Sequence, residues 1–324
     1  FISLREAILA INAGAGGDTI NLSAGTYLLT RTGANEDAAS TGDLDILKNI
    51  TIIGTGAGTT TINANGIDRA FHIRGIGGQL TVSGATIQGG NAGSGSGGGF
   101  WVETATNSLT LDNVILQGNS ATAGAGIDNA GNLTVTDVTI QNNGNLTTTT
   151  QGGGLRNTAN ATLNRVTISG NRADVGGGVH NDFGTGNSMT LTNVTLSGNS
   201  AQSTGGGIYT RDNITVLNST ITLNTSDTAG GIRTQTSSAN LQNTIVAGNT
   251  GVSANPDLAG TFVSSGNNLI GNGTGQSGLI NNVNSDKVGT GATPIDPLLG
   301  SLQNNGGLTF THALLTGSTA IDAG

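Results

Sequence analysis

The sequence predicts an all-β chain wound as a parallel β-helix, and three observations predict it. The first is a repeated phrase between positions 97 and 249: a glycine run, a short apolar segment, a gap, then an apolar–threonine strand closing on Gly-Asn. Gly-Gly-Gly-Leu-Arg-Asn (152–157) leads to such a strand at 161–171, and Gly-Gly-Gly-Val-His-Asn (176–181) to one at 189–199. One equivalent position recurs at Ala85, Val114, Val138, Val166, Val194, Ser219 and Thr244, a period of roughly 26 residues that lies in the solenoid range. The second is spacing inside the repeat: Leu163, Val166 and Ile168 flank Thr162 and Thr167, a strand pattern. The third is the lack of any helical pattern between repeats, which excludes leucine-rich and βαβ solenoids. A propeller blade would need four strands in roughly 40 residues. One coil per repeat remains, with coils stacked about 4.8 Å apart.

The chain opens with a helix. Ser3-Leu4-Arg5-Glu6 is a capping box, Leu4, Ala7, Ile8 and Ile11 mark one face, and Gly14 is a stop. A helical cap over 1–16 covers the first coil, whose open edge would otherwise recruit other strands. Membrane association of this segment is disfavoured by its shortness and lack of basic residues. Strands follow at 18–22, 26–30, 49–53, 59–62, 70–73 and 80–82. Between them lies an acidic group, Glu36, Asp37, Asp43 and Asp45. Oxygen-rich clusters bind Ca²⁺, but no Asp-x-Asp-x-Asp-Gly loop is present. The alternative is a surface loop in which Asp43 or Asp45 pairs with Arg69.

The repeats fill 17–250. Asn119, Asn143, Asn171, Asn199, Asn224 and Asn249 close successive strands, and a second, interrupted column runs Asn113, Asp137, Arg165, Asn193, Asn218, Asn243. Stacked amides can hydrogen-bond along the coil axis, and glycines supply positive φ at corners. From 251 to 324 the period loosens into irregular coils and a cap, continuous with the same body.

Composition narrows the function classes. The 324 residues carry 56 Gly, no Cys, 9% charged residues and a net charge of −8, and Lys48 and Lys287 are the two lysines. Nucleic acid is excluded as a partner because no basic stripe neutralises phosphates. No apolar run approaches the roughly 18 residues of a membrane span. A chain beginning at Phe1 suggests a mature or trimmed form, with any signal peptide outside it. Asn-x-Ser/Thr triplets such as 132–134 follow from the Asn and Thr columns and are not taken as glycosylation sites.

Two end signatures carry a resemblance. Ser3-Leu4-Arg5-Glu6-Ala7-Ile8, with 42–46 (Gly-Asp-Leu-Asp-Ile) and 67–71 (Ile-Asp-Arg-Ala-Phe), resembles the N-terminal region of secreted bacterial proteins named for a Cys-Ser-Leu-Arg-Glu-Ala motif; Ile2 stands at the cysteine position. The segments 267–271, 296–300, 304–307 and 320–324 resemble the choice-of-anchor Q region, which in that family lies upstream of surface-anchoring signals. The repeats are similar to those of polymorphic outer-membrane proteins and other right-handed β-helices. The resemblance implies a secreted or surface-displayed right-handed parallel β-helix with a short N-terminal capping helix. It implies no defined reaction and brings no catalytic residues.

Candidate function sits two residues after each glycine run, at Trp101, Asp128, Arg156, His180, Tyr209 and Arg233. The residues just before them are apolar and point inward, so alternation predicts this set outward in one column. Two positions on, Glu103, Ala130, Thr158, Asp182, Arg211 and Gln235 also face out. Aromatics stack on sugar rings, and Arg and carboxylates fork onto hydroxyls or uronates. The expected ligand face is therefore Trp101, Glu103, Asp128, Arg156, His180, Asp182, Tyr209, Arg211 and Arg233, taking a polysaccharide or surface glycan, or a second chain by self-association. An ordinary solvated face with cross-coil pairs such as Asp182 with Arg211 is the competing expectation. A lyase would use Arg156, His180 and Tyr209 on three successive coils, although no paired-aspartate or Gly-His-Gly pattern accompanies them. Ice binding would need regular Thr-x-Thr arrays; Thr134-x-Thr136 and Thr190-x-Thr192 qualify, but other coils break the second rank. The sequence thus favours a secreted or cell-surface structural or adhesive β-helix. A polysaccharide-degrading enzyme and an ice-binding protein are the alternatives. No cofactor is expected, with Ca²⁺ the one exception.

Overall fold

The structure is a computed structural model describing residues 2–34, 36–184, 188–254 and 256–323. Phe1 and Gly324, which belong to the chain's start and to the 320–324 motif read above, lie outside the described residues, as do Asn35, 185–187 and Asn255. The fold is the predicted one: a parallel β-solenoid with one short N-terminal helix.

Each repeat makes one coil. The coil entered through the glycines at 152–154 carries strands Leu155–Asn157, Asn160–Asn164 and Thr167–Ser169, then a fourth at Arg172–Val175. Each stacks in parallel on its counterpart: Leu155 pairs Val179, Leu163 pairs Leu191 and Ile168 pairs Leu196. Because the register is fixed, residues of one kind form ranks. Inside, Val138, Val166 and Val194 are all but fully buried, as are Leu163 and Ile168. Outside, Thr19, Thr51, Thr81, Thr110, Thr134, Thr162, Thr190 and Thr215 align coil on coil. The neighbouring rank mixes Asp112, Thr136, Asn164, Thr192, Leu217 and Gln242, so the paired array that ice binding needs is broken, as expected.

The two asparagine columns do different work. Asn113, Asp137, Arg165, Asn193, Asn218 and Asn243 all adopt left-handed backbone, with φ between 47° and 55°. They form the corner before the third strand. The short polar side chains of Asn and Asp tolerate this conformation, so this corner dispenses with glycine except at Gly84 (φ 61°). Arg165 is the exception by type, and its guanidinium clamps the Asp137 below through two 2.7 Å hydrogen bonds.

The other column, Asn119 to Asn249, is a buried amide ladder. Asn143 donates from both its backbone N–H and Nδ2 to Asn171 Oδ1, each at 3.0 Å, and uses its second amide hydrogen on Leu116 O, also at 3.0 Å. Asn171 repeats the pattern onto Asn199, and Asn199 onto Asn224. The ladder ends on a carboxylate: Asn249 donates to Asp257 Oδ1 at 3.0 and 2.8 Å. Every polar atom of an internal rung thereby has a partner out of water, which removes the cost of burial.

The first coil is closed as predicted. α1 (Leu4–Ala13) begins at Ser3, whose hydroxyl accepts from Glu6 N–H while Ser3 N–H donates to Glu6 Oε2 at 2.8 Å. Leu4, Ile8 and Ile11 are buried. So is Arg5, which sequence periodicity would leave in solvent. Its guanidinium donates to the carbonyls of Ala39, Thr41, Gly42 and Asp43 at 2.5–3.2 Å. Asn12 donates to Asp45 O at 2.8 Å and accepts from Leu47 N–H at 3.0 Å. Leu44–Ile46 is paired by the main chain along one edge, by Phe71–Ile73, and these two side chains satisfy backbone groups on and beside its other edge.

Beyond 249, coils continue in shortened form. Ile245 pairs Leu269, and Leu269 pairs Lys287. The chain then forms an antiparallel hairpin, Leu299–Gln303 with Thr311–Leu314. It lies back along the side of the solenoid: Thr167 Oγ1 donates to Phe310 O at 2.6 Å, and His312 Nε2 lies 2.9 Å from Ser197 Oγ. Among the described residues no helix is long and apolar enough to cross a membrane.

Candidate functional site

The column predicted from Trp101 to Arg233 exists and is longer than the sequence suggested. Asp45, His72, Trp101, Asp128, Arg156, His180, Tyr209 and Arg233 stand in register on successive coils. Asp45 and His72 were missed because no glycine run precedes them. The signal was present in the triplets Leu44-Asp45-Ile46 and Phe71-His72-Ile73, which repeat the apolar–polar–apolar strand.

The column is not uniformly outward, contrary to expectation. Asp128 and His180 are 2% exposed and Tyr209 8%, whereas Trp101, Glu103, Arg156, Asp182, Arg211 and Arg233 are partly exposed. The glycine runs shelter the base of the column from Trp101 to Tyr209, Gly97 and Gly152 included, yet the side chains of Trp101 and Arg156 still reach solvent. Gly124, Gly176 and Gly205 have φ between 57° and 67°, and each turns back against the column residue four places on. A Cβ at Gly176 would stand 2.9 Å from His180 Cβ, and one at Gly205 2.7 Å from Tyr209 Cβ. The turn backbone therefore lies against the column, and the long side chains of adjacent coils shelter the rest.

What remains accessible is a strip of alternating charge. Arg156 Nη1 donates to both Asp128 oxygens at 3.0 and 3.3 Å, and its Nη2 lies 3.7 Å from Asp182 Oδ2. Arg211 donates to Asp182 Oδ1 at 3.0 Å, the cross-coil pair expected of a solvated face. The Arg211 guanidinium also lies 4.2 Å from the ring of Phe183, which is 50% exposed and which the sequence did not single out. At the other end, Trp101 stacks on His72 at 4.1 Å with the rings 8° from parallel, under the Arg69 guanidinium.

The three residues a lyase would use do meet. His180 and Tyr209 contact edge to face at 4.9 Å, with Arg156 on the coil before. Burial lowers the His180 pKa to about 4, Arg156 and Arg211 adding to the fall and Asp182 opposing it, and neither ring nitrogen has a hydrogen-bond partner. Burial likewise raises Tyr209, whose hydroxyl donates to Gln235 Oε1. A neutral, sheltered imidazole is built to pack here.

The acidic group at the N-terminal end is split by the fold. Glu36 accepts the N–H groups of Ala38, Ser40 and Thr41 at 2.5–2.7 Å and so holds its own turn. Asp43 is taken by Arg69 at 2.7 Å, the pairing foreseen. Burial pushes the Asp43 carboxyl up to about 7, Asp45 adding to the rise and Arg69 opposing it. These two do not converge with the others in the four-oxygen set considered for Ca²⁺. Asp37 and Asp45 do come together, but with His72 between coils.

No family model matches the chain, and no curated protein does. Two solved structures are similar. One is the A-module of mannuronan C-5 epimerase AlgE6 from Azotobacter vinelandii, at 15% identity over 88% of this chain and 94% of that one, with a TM-score of 0.43. The other is PfbA, a surface adhesin of Streptococcus pneumoniae, at 12% identity over 96% of this chain and 95% of that one, with a TM-score of 0.35.

Proposed function

We propose that this chain is a secreted or cell-surface β-helix of structural or adhesive role that binds a glycan along the strip from Trp101 to Arg233. The observation that carries this is the accessible aromatic at Phe183, flanked by a guanidinium that Asp182 holds in place. A sugar ring needs an apolar face for its C–H groups and fixed forks for its hydroxyls or carboxylate, and Phe183, Arg211 and Asp182 supply these within one contact cluster. Arg156 and Arg233 continue the strip on neighbouring coils, so an extended polymer matches it better than a single sugar.

Burial of His180 and Tyr209 favours binding over turnover, because a general base must come within hydrogen-bond reach of the proton it removes. The test is a panel of neutral and uronate-containing polysaccharides, scored for binding and for release of unsaturated products. Binding without product is expected. Product release that disappears in His180→Ala would move the assignment to a lyase. Failure to bind any member would remove the glycan and leave self-association through the same strip, read by sedimentation at rising protein concentration.

A further inference from the structure

We propose that Asp37, Asp45 and His72 bind a divalent first-row transition-metal ion, with Glu103 holding the far nitrogen of His72. One oxygen from each carboxylate and one imidazole nitrogen lie within 4.8 Å of one another. Two of the three are buried and unsatisfied. Asp45 is wholly buried and His72 is 2% exposed, yet Asp45 Oδ1 and both ring nitrogens of His72 have no hydrogen-bond partner. Asp45 Oδ1 and His72 Nδ1 stand 3.2 Å apart without hydrogen-bond geometry, so two lone-pair bearers converge on the same space. That separation is close to the edge of a tetrahedron with ligand bonds of about 2.0–2.1 Å, the zinc(II) value for nitrogen and carboxylate donors.

The fold fixes this pair before any ion arrives. Asp45 and His72 are register partners on adjacent coils. Asp45 Oδ2 is already held by Ala39 N–H at 2.7 Å, which leaves Oδ1 as the ligand atom. His72 is held flat against Trp101. Its Nε2 lies 3.8 Å from Glu103 Oε2, so a small rotation of Glu103 lets it accept the Nε2 proton. That contact would present Nδ1 unprotonated to the ion, the usual outer arrangement of a metal-bound histidine. Imidazole with carboxylates suits zinc and its neighbours, whereas Ca²⁺ takes six to eight oxygens. Arg74 pairs with Asp37 and lies 3.6 Å from Glu103. Its guanidinium therefore competes with a cation for the same carboxylates.

The experiment is calorimetric titration of the tag-free, chelator-treated full chain with zinc(II), with calcium(II) in parallel, and the visible spectrum of the cobalt(II) form. One zinc per chain is expected, with an absorption typical of tetrahedral cobalt. His72→Phe keeps the ring stack and Asp45→Asn keeps an acceptor for Ala39 N–H. Each should weaken zinc at least tenfold with the circular dichroism spectrum unchanged. Arg74→Met should tighten it, which a merely structural cluster would not do. Absence of zinc binding, binding indifferent to His72→Phe and Asp45→Asn, or a preference for calcium would overturn the proposal.

Discussion

At the scale of single residues, satisfaction of buried polar groups decides most outcomes. Asn171 accepts two hydrogen bonds from Asn143 and donates to Asn199 Oδ1 and Ile140 O. Asn171→Ala strands several of these groups away from water, at about 1–3 kcal/mol for each group left unpaired. Denaturant titration should therefore show a loss of ~3 kcal/mol or more, while the exposed Asn160→Ala should change stability by less than about 0.5 kcal/mol. His180 makes a second, pH-dependent case. Its folded pKa, about 4, lies below its ordinary value of 6.5, so between those values the unfolded chain binds a proton that the folded chain refuses. Stability then falls as pH drops from 6.5 towards 4 and rises again with pH, by up to ~3 kcal/mol for this group. His180→Asn should flatten that part of the stability–pH curve relative to the parent. Equal slopes in the two proteins would show that His180 takes its proton freely in the fold.

At the scale of elements, the N-terminal helix acts through side chains that replace a missing strand. Arg5 and Asn12 satisfy the main chain around Leu44–Ile46, and Leu4, Ile8 and Ile11 cover the end of the core. Deleting residues 1–13 bares both an apolar coil end and unpaired backbone, the conditions for end-to-end association. Sedimentation should show oligomers growing with concentration, and a truncated chain that stays monomeric and equally stable would remove the capping role. The sequence made this helix legible through its box and its apolar spacing, but not the burial of Arg5, because periodicity assigns Arg to solvent unless its acceptors are known. The same limit explains the column. Spacing of two correctly put Arg156, His180 and Tyr209 in one rank. It could not show that a left-handed glycine four residues earlier brings backbone against the column, nor that Asp128, His180 and Tyr209 are buried there, nor that loop residue Phe183 lies beside Arg211. His72 escaped notice for a related reason: its partners Asp45 and Asp37 come from the preceding coil, 27 or more positions away in sequence. Inter-coil register is set by loop lengths that the N-terminal region varies.

At the scale of the whole molecule, the solenoid presents two long faces of different chemistry. One is the threonine rank from Thr19 to Thr215, uniform and uncharged; the other is the strip from Trp101 to Arg233. Apart from the C-terminal hairpin laid along their side, coils contact only their neighbours, so stability is close to a sum of local terms, and a substitution on an exposed face away from that hairpin leaves the rest of the body intact. Variants for a binding measurement must still be chosen by burial. Arg156→Ala would leave the buried Asp128 carboxylate without its partner, a loss of about 3–5 kcal/mol, and Tyr209→Ala would open the packing around His180. Phe183 and Arg233 are the better choices. The most direct measurement is the affinity of Phe183→Ala, Arg233→Ala and Thr162→Ala for the polysaccharide that the parent retains, with melting temperatures taken alongside. The strip predicts losses of about tenfold or more for the first two, near 1.4 kcal/mol each, with Thr162→Ala equal to the parent and all three melting alike. Unchanged affinity in Phe183→Ala and Arg233→Ala, or a comparable loss in Thr162→Ala, would place the binding surface elsewhere on the molecule.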